Sequence, residues 1–246
     1  MARTTNLSRP IIEALYTEAL LLADEVRAVF AAGTREPMIG EDAYVRLALS
    51  TEGLKTTTRM MHVLAWLLNQ RALFSGELNE NQVRLHGALP PDRGSDERQL
   101  SLLEPETREL IAETERLHQR IANIRKDYAH KATSEIVASA QTIKVEALNV
   151  KGWAKNRSIS KSTADASVGM FLNMLRYKAA WAGRSLVEVG QWEPTSKTCS
   201  DCGAREPGVV LGVSRWVCSA CGAIHDRDHN AAKNIYAYGE ERRNVT

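Results

Sequence analysis

Cysteine is absent from the first 198 residues of this 246-residue chain, and other features are missing with it. The sequence shows no secretory leader and no apolar run long enough to cross a membrane, so we expect a cytoplasmic protein with no membrane partner. A reducing compartment makes disulfides and redox pairs the less favoured alternatives for its cysteines. No β-rich stretch precedes residue 142, which excludes a sheet built from the first half of the chain.

All four cysteines lie in one short C-terminal stretch, as CSDCG and CSACG with fifteen residues between the pairs. Two residues between thiolates let one tight turn present both sulfurs to an ion, and the arm between the pairs can return as a hairpin. Gly203 and Gly222 follow the pairs, where the turn requires a positive φ. Because four thiolates leave no open coordination position, we predict a structural Zn²⁺ site made by Cys199, Cys202, Cys218 and Cys221.

The segment after the last cysteine, GAIHDRDHNAAKNIYAYG, places Asp226 and Asp228 beside that site and predicts a helix from about Asn230. Together with TIKVEALNVKGW, KSTADASVGMFLNMLRYKAAWAG and SKTCSDCG, it resembles the C-terminal half of the TnpB/OrfB family. These are transposon-encoded, RNA-guided DNA nucleases related to the type V CRISPR effectors. The resemblance runs from about His118 to Gly239 and implies DNA or RNA as partners, with a guide RNA among them.

By this resemblance Glu146 corresponds to the glutamate of the second RuvC motif and Asp228 to the aspartate of the third, with Asp226 as an additional candidate. Nucleases of this type cleave phosphodiesters with two divalent ions, Mg²⁺ or Mn²⁺, clamped by three carboxylates. Without the family, Glu146 is an acid at the end of an apolar strand, a position where solvated surface groups are common.

The first carboxylate of that trio has no counterpart here. In the family it lies on the leading strand of an RNase H-like sheet, in a Gly-apolar-Asp-x-Gly type of segment upstream of the second motif. The upstream aspartates of this chain lie in helical patterns or in loop and cap contexts, namely Asp24, Asp42, Asp92, Asp96 and Asp127. The resemblance therefore implies only half of the nuclease fold, and we expect no appreciable DNA cleavage by this chain alone.

Residues 1–117 show helical periodicity throughout, and we predict three helices packed as a bundle. The first ends at Gly33, the second runs from about Glu41 to Phe74 with a bend at Gly53, and the third begins near Pro105. A Pro-, Gly- and charge-rich loop of about thirty residues follows the second helix and is long enough to be functional or disordered. The predicted apolar faces are Ile11, Leu15, Leu22, Val26 and Phe30; Val45, Leu49, Met60, Leu64, Leu67 and Leu68; and Leu110, Thr114, Leu117, Ile121, Ile124 and Tyr128.

Within this half, SRPIIEALYTEALLLADEVRAVF and ALSTEGLKTTTRMMHVLAWLLNQRALFSGEL resemble the RcdA family over about residues 6–117. That family consists of small alphaproteobacterial proteins formerly described only as a domain of unknown function. The resemblance implies a three-helix bundle that forms a homodimer and acts as an adaptor, helping the ClpXP protease destroy cell-cycle regulators such as CtrA. ClpX is then an expected partner.

Charge also divides the chain. Residues 1–117 contain 13 Lys plus Arg against 18 Asp plus Glu, a net of −5, and residues 118–246 contain 19 against 12, a net of +7. The basic half is the one expected to meet phosphates. We predict nucleic-acid contacts at Lys151, Lys155, Arg157 and Lys161, which share one loop, and at Lys197.

The third helix keeps its apolar phase through RLHQRIANIRKDY, so we predict a continuous helix across the seam between the two resemblances. After it we predict a strand at 142–149, a helix from about Thr163 to Ala182 capped by Ser162 with Asp165, and a strand at 185–190. These form one right-handed βαβ unit with parallel strands. An in-frame insertion of a transposon gene into an adaptor gene is our hypothesis for the join.

The predicted fold class is α+β, an N-terminal three-helix bundle followed by a partial RNase H/RuvC-like βαβ unit that carries a four-cysteine zinc ribbon. The predicted segments are the RcdA-like bundle at 1–117, a partial RuvC-like segment at 118–198, the zinc ribbon at 199–225, and the last RuvC motif with a C-terminal helix and tail at 226–246. Three functions follow, in this order: a zinc-dependent DNA- or RNA-binding remnant of a transposon nuclease, an RcdA-type adaptor with a passenger domain, and a nuclease completed in trans by strands from another chain.

Overall fold

The computed structural model describes residues 8–32, 43–78, 83, 89–147, 167–190, 192–209 and 213–238. The chain divides into two compact units. The helical unit comprises the described residues up to 132 together with 167–171, and the ribbon unit comprises those of 133–147 and 172–238. The elements in chain order are α1 (Arg9–Ala32), α2 (Ala43–Ser75), α3 (Glu97–Leu100), α4 (Pro105–Ser139), β1 (Thr142–Glu146), α5 (Ser167–Trp181), β2 (Ser185–Val189), β3 (Arg215–Val217), β4 (Ile224–Asp226) and α6 (Arg227–Ala237).

Three long helices, α1, α2 and α4, share one apolar core in the helical unit. The predicted face of α4 is largely confirmed, whereas Ile11 of α1 and Leu68 of α2 are 47% and 48% exposed, so their assignment to the interior was wrong. Ile12 takes the inner position on α1 instead, one residue further along the helix. The core is made by Ile12, Leu15, Ala19, Leu22, Val26, Met60, Val63, Trp66, Leu67, Leu89, Leu110, Leu117 and Ile121.

The middle of α2 buries polar side chains that an apolar-face analysis places outside. Arg59 is fully buried and is held by Asp92, Thr114 and Glu115 at 2.9, 2.8 and 3.1 Å. Because a buried charge is tolerated only when it is paired and hydrogen-bonded, this side of α2 faces other charged groups rather than solvent.

The segment after α2, predicted as a long loop, packs on its own unit over its described part. Leu89 and Leu103 are buried, and the N–H and hydroxyl of Ser95 both donate to Glu115. Asp96 caps the short helix α3 by accepting from the N–H of Arg98. Polar contacts and buried leucines therefore fix residues 89–104, which composition alone marked only as turn-forming.

Gly53 does not interrupt α2, which runs from Ala43 to Ser75. A Cβ at this position would lie 2.6 Å from Cδ1 of Phe30. The glycine therefore allows the close approach of α1 and α2.

Helix α4 begins at Pro105, as predicted, and continues to Ser139 without a break. The predicted continuity across residue 117 is thereby confirmed. No helix in the described part of the chain is long and apolar enough to cross a membrane.

In the ribbon unit, β1 and β2 pair in parallel, as predicted, with register from Thr142↔Ser185 to Glu146↔Val189. β2 ends one residue earlier than predicted. The predicted cap of α5, Ser162 with Asp165, lies outside the described residues. On α5, Leu172 and Leu175 are buried, while Val168 is 36% exposed.

The second sheet is the hairpin of β3 and β4, which pairs Trp216 with His225 and Val217 with Ile224. The side chains of Trp216 and His225 are buried, whereas those of Val217 and Ile224 are exposed. α6 follows β4 directly, starting at Arg227 rather than near Asn230, because Asp226 caps it. The predicted start was therefore late by almost one turn.

Candidate metal centre and neighbouring carboxylates

The four cysteines come together in the ribbon unit. All their Sγ atoms lie within 4.8 Å of one another, with 3.7 Å between Cys199 and Cys221 and 3.6 Å between Cys202 and Cys218. A tetrahedral ion with Zn–S bonds of about 2.3 Å separates its sulfurs by about 3.8 Å. A disulfide would need about 2.05 Å, so the spacing fits a shared ion and not oxidised pairs.

The two cysteine pairs sit on two equivalent turns, which we name the first knuckle (Cys199–Ala204) and the second knuckle (Cys218–Ala223). In each, the glycine N–H donates to the carbonyl of the first cysteine at 2.9 Å. The first cysteine's N–H donates to the alanine that closes the turn, at 2.8 and 2.9 Å. Gly203 and Gly222 have φ of 78° and 76°, which confirms the predicted need for glycine at both sites.

Cys199 has the most elaborate surroundings of the four cysteines. Its Sγ lies 3.1 Å from Nε2 of His225, whose ring packs against Trp216 with centroids 4.6 Å apart. Burial raises the pKa of the Cys199 thiol, but hydrogen bonds from the backbone N–H groups of Cys202 and Asp201 and from His225 outweigh it and lower the pKa to about 6. These donors favour the thiolate, the form that binds a metal ion.

The second knuckle is supported from within the ribbon. The N–H and hydroxyl of Ser219 both donate to Glu206 at 2.6 Å. In the first knuckle the corresponding N–H, that of Ser200, donates instead to Oδ1 of Asn230 on α6 at 2.9 Å. The two knuckles thus share a backbone conformation but use different side chains to hold it.

The candidate catalytic acids lie close to the start of α6 and the end of β1. Oδ1 of Asp226 accepts from the N–H groups of Asp228 and His229 at 3.1 and 3.0 Å, so this carboxylate caps the helix. Asp228 lies in the first helical turn and is exposed. Glu146 is the last residue of β1 and is half-buried.

Burial raises the pKa of Glu146, and the positive charge of Arg227, the residue before Asp228, opposes that shift. Glu146 and the first turn of α6 are therefore electrostatically coupled. Within the described part of the chain, the four cysteines are the only group of three or more Cys, His or acidic side chains whose ligand atoms converge. The described residues therefore contain no cluster of three carboxylates of the kind that a two-ion site needs.

The predicted basic contacts are mostly outside the described residues, since Lys151, Lys155, Arg157 and Lys161 all fall in 148–166. Lys197 is exposed, two residues before Cys199. Lys178, another cation of the basic half, is engaged internally, because its Nζ donates to the hydroxyls of Thr133 and Ser134 at 2.8 Å.

Three side chains that support the knuckles were not among the predicted site residues, namely His225, Asn230 and Asn234. His225 was not predicted because a site with four cysteine ligands needs no histidine, so a histidine four residues after the last cysteine received no role. The two asparagines do carry a signal, since their spacing of four places them on one face of a helix that follows a metal site.

A family model described as "Protein of unknown function (DUF1465)" matches residues 3–150. The chain belongs to this family. The DUF1465 match takes in α1 to α4 and β1, so it continues past residue 117, where the RcdA resemblance ended. It also contains Glu146.

A second family model, "Cas12f1-like, TNB domain", matches residues 169–235. This range contains most of α5, β2, all four cysteines, the β3–β4 hairpin and most of α6. The chain therefore joins a DUF1465 domain to a Cas12f1-like TNB domain, which confirms the predicted fusion of two families.

Curated relatives support the second part. A Streptomyces pristinaespiralis protein named "Putative RNA-guided DNA endonuclease" is 43% identical over 124 residues, covering 50% of this chain and 31% of that protein. "TnpB-like protein L79" of Acanthamoeba polyphaga mimivirus is 36% identical over 129 residues, covering 50% and 24%. "CRISPR-associated endodeoxyribonuclease Cas12f1" of Sulfoacidibacillus thermotolerans is 29% identical over 126 residues, covering 51% and 30%. The chain spans a third or less of the length of these relatives.

Proposed function

We propose that this protein is a zinc-dependent nucleic-acid-binding protein derived from a TnpB-type nuclease, and that it does not cleave DNA alone. The observation that carries the proposal is the tetrahedral spacing of four sulfurs inside the TNB-matched segment. The name of the Streptomyces pristinaespiralis relative, "Putative RNA-guided DNA endonuclease", supports nucleic acid as the ligand. The net charge of +7 after residue 117 favours a polyanionic partner.

The incomplete set of acids supports the proposed lack of cleavage. Glu146 and Asp228 are the two carboxylates that would hold Mg²⁺ or Mn²⁺, and Asp226 is committed to capping α6. Such ions, when bound, stabilise the attacking and leaving oxygens of a phosphodiester displacement. No strand precedes β1 among the described residues, so a partial RuvC-like unit lacks a place for the first aspartate.

Binding is tested on the full-length chain with fluorescent single- and double-stranded DNA and with RNA. We expect affinity to fall steeply with salt and to be lost after zinc chelation, because the ribbon depends on its ion. Lys197→Ala should weaken binding to all nucleic-acid sequences equally. It should also lower by about one the slope of the logarithm of the binding constant against the logarithm of salt concentration. Zinc-free protein that binds with unchanged affinity would contradict the proposal.

Cleavage is tested on the same substrates with Mg²⁺ and Mn²⁺. The expected result is no cutting by the wild-type chain. Cutting that disappears in Asp228→Ala would show a complete catalytic site and would overturn the proposed inactivity. Cutting that appears only after an N-terminal TnpB fragment is added would instead support completion in trans, for which the two-stranded sheet of β1 and β2 provides a docking edge.

An exposed stripe on α2 favours a second function for the DUF1465 domain, that of a dimeric adaptor. Leu47, Leu54, Met61 and Leu68 are spaced by seven residues and are 61%, 71%, 64% and 48% exposed. A seven-residue apolar repeat suits a second helix of the same kind, so the occupant we propose is α2 of a second copy. The RcdA resemblance adds ClpX as the partner of such an adaptor.

The interface is tested by light scattering on the full-length chain. Leu54→Glu combined with Met61→Glu should convert a dimer into a monomer with unchanged helical content, whereas Arg108→Glu, at an exposed position of α4, should not. A wild-type chain that is monomeric at all concentrations would exclude this interface. Retention on immobilised ClpX that is lost with the dimer would connect the stripe to adaptor function.

A further inference from the structure

Two asparagines on one face of α6 hold the turn that leads into the first knuckle. Asn230 donates through Nδ2 to the carbonyls of Thr195 and Thr198 at 3.2 and 2.7 Å, and Asn234 donates to the same two carbonyls at 2.7 Å each. The spacing of four residues places both carboxamides on the same side of the helix, one turn apart. We name this pair the asparagine clasp.

Both polar atoms of the Asn230 side chain form hydrogen bonds. Only 1% of the residue is exposed, and Oδ1 accepts the N–H of Ser200 while Nδ2 donates to the two carbonyls. An aspartate of the same shape could accept from Ser200 but could not donate to Thr195 or Thr198. An aspartate would instead set a carboxylate oxygen against the two carbonyl oxygens in a buried site, which is costly, so the position favours a carboxamide.

Two residues bound by the asparagine clasp are the sequence neighbours of one proposed metal ligand, Cys199. Thr198 immediately precedes Cys199, and Ser200 immediately follows it. At the other end, Asn230 lies two residues after Asp228, on the helix that Asp226 caps. The backbone around a zinc ligand and the helix that carries a candidate catalytic acid are therefore joined by buried hydrogen bonds.

We propose that Asn230 and Asn234 are positioning residues that couple metal occupancy at the four cysteines to the placement of α6, and with it Asp228. The proposal rests on the zinc site of the proposed function. Binding linkage is reciprocal, so the factor by which the ion orders α6 is also the factor by which an ordered α6 strengthens ion binding.

The test uses hydrogen exchange and zinc competition on the full-length chain. In the wild type, stripping zinc should speed the exchange of the α6 amides, residues 227–237. In Asn230→Ala, α6 should exchange rapidly even when zinc is bound, and zinc affinity should fall about 10-fold or more, as for loss of an outer-shell partner. Asn230→Asp should behave like the alanine variant, because it lacks the donors. Asn173→Ala, an exposed asparagine of α5, is the matched control and should change neither quantity.

Several outcomes would overturn the coupling. A wild-type chain that binds zinc but shows the same α6 exchange with and without it contradicts the clasp alone, whereas a chain that binds no zinc contradicts the proposed site itself. Equal α6 protection in zinc-loaded wild type and Asn230→Ala also contradicts the clasp. If Asn230→Ala gives no soluble protein, Asn234→Ala carries the same test, because it removes two of the four donated bonds and leaves Asn230 in place.

Discussion

In the helical unit, thirteen buried apolar residues form one core, whereas the described residues around the two knuckles form a buried cluster of four, of which two are the cysteines Cys199 and Cys218. The other two are Val209 and Trp216. Further buried apolar residues of the ribbon unit, such as Ile143, Leu175 and Val189, lie on β1, α5 and β2 and not at the knuckles. Apolar burial as small as that at the knuckles stabilises a fold by only a few kcal/mol, about 1.5 to 3 for each large side chain. We therefore expect the knuckles to be held by the proposed zinc ion and by hydrogen bonds to their neighbours, while the helical unit can fold through its core.

Polar contacts differ in the same way. In the helical unit the buried polar network around Arg59 ties α2 to the segment that follows it and to α4, and it lies beside a large apolar core. In the ribbon unit the asparagine clasp and Glu206 act directly on the residues that flank metal ligands. Loss of the ion should consequently destabilise the ribbon unit around the knuckles and leave the helical unit folded.

Removal of a cysteine gives the largest expected effect. Cys202→Ser should abolish stoichiometric zinc binding and unfold the two knuckles, because structural zinc contributes on the order of 10 kcal/mol to folding in small modules. Far-UV circular dichroism should retain the helical signal, and the Trp216 environment should change. Zinc per chain is measured by atomic emission on the same samples.

Ser200→Ala is the control for this variant, since it lies between two ligands and keeps the N–H that Asn230 accepts. It should retain one zinc per chain. A helical signal that collapses together with zinc loss would show that the two units do not fold separately.

The second effect concerns the helical unit. Arg59→Ala leaves Asp92 and Glu115 without their buried partner and should lower the free energy of unfolding by about 3–5 kcal/mol. Zinc content should be unchanged. The matched control is Arg116→Ala, because Arg116 forms an exposed ion pair with Glu109 at 2.6 Å and its loss should lower the free energy of unfolding far less. Equal losses in both variants would mean that the Arg59 network is not buried in solution.

The metal site was readable from the sequence because its information is local. Two residues between cysteines fix the turn, and the glycine after each pair reports the positive φ that the turn needs. The parallel pairing of β1 and β2 also followed from the order of elements. These inferences need only neighbours in the chain or a general rule of connection.

The remaining features depend on contacts between distant residues. Glu52 and Arg59 are buried on α2 because distant residues pair with them. The backbone N–H of Asp96 donates to Glu52, and the carboxylates of Asp92 and Glu115 pair with Arg59. Asp226 was treated as a candidate ligand, which hid its role as a helix cap and moved the predicted start of α6. Asn230 and Asn234 showed a suggestive spacing, but their partners lie more than thirty residues away.

A third, smaller effect is expected at Gly53. Helix propensity alone would make Gly53→Ala stabilising by about 1 kcal/mol. The new Cβ would, however, lie 2.6 Å from Cδ1 and 3.1 Å from Cγ of Phe30, atoms near the root of the ring that cannot swing away. Overpacking of this kind costs about 1–3 kcal/mol, so we expect net destabilisation of the helical unit in thermal unfolding. Phe30→Leu in the same chain should recover part of the loss, and a stabilised single variant would show that α1 and α2 are further apart.

The smallest effect sharpens the question of what the ribbon unit binds besides zinc. Since burial raises the pKa of Glu146, the folded protein keeps this proton at pH values where the unfolded chain has lost it. Its contribution to stability is therefore present at low pH and is lost as pH rises through the folded pKa. Glu146→Gln should melt slightly higher than wild type at pH 7 and equally at pH 4, with Glu135→Gln, at an exposed position of α4, as the control. Adding Mn²⁺ at pH 7 should reverse the order if Glu146 is a metal ligand, because only the wild type gains binding energy from the ion. An unchanged order with Mn²⁺ would leave Glu146 as a partly buried acid opposite Arg227 and would count against a residual two-carboxylate site.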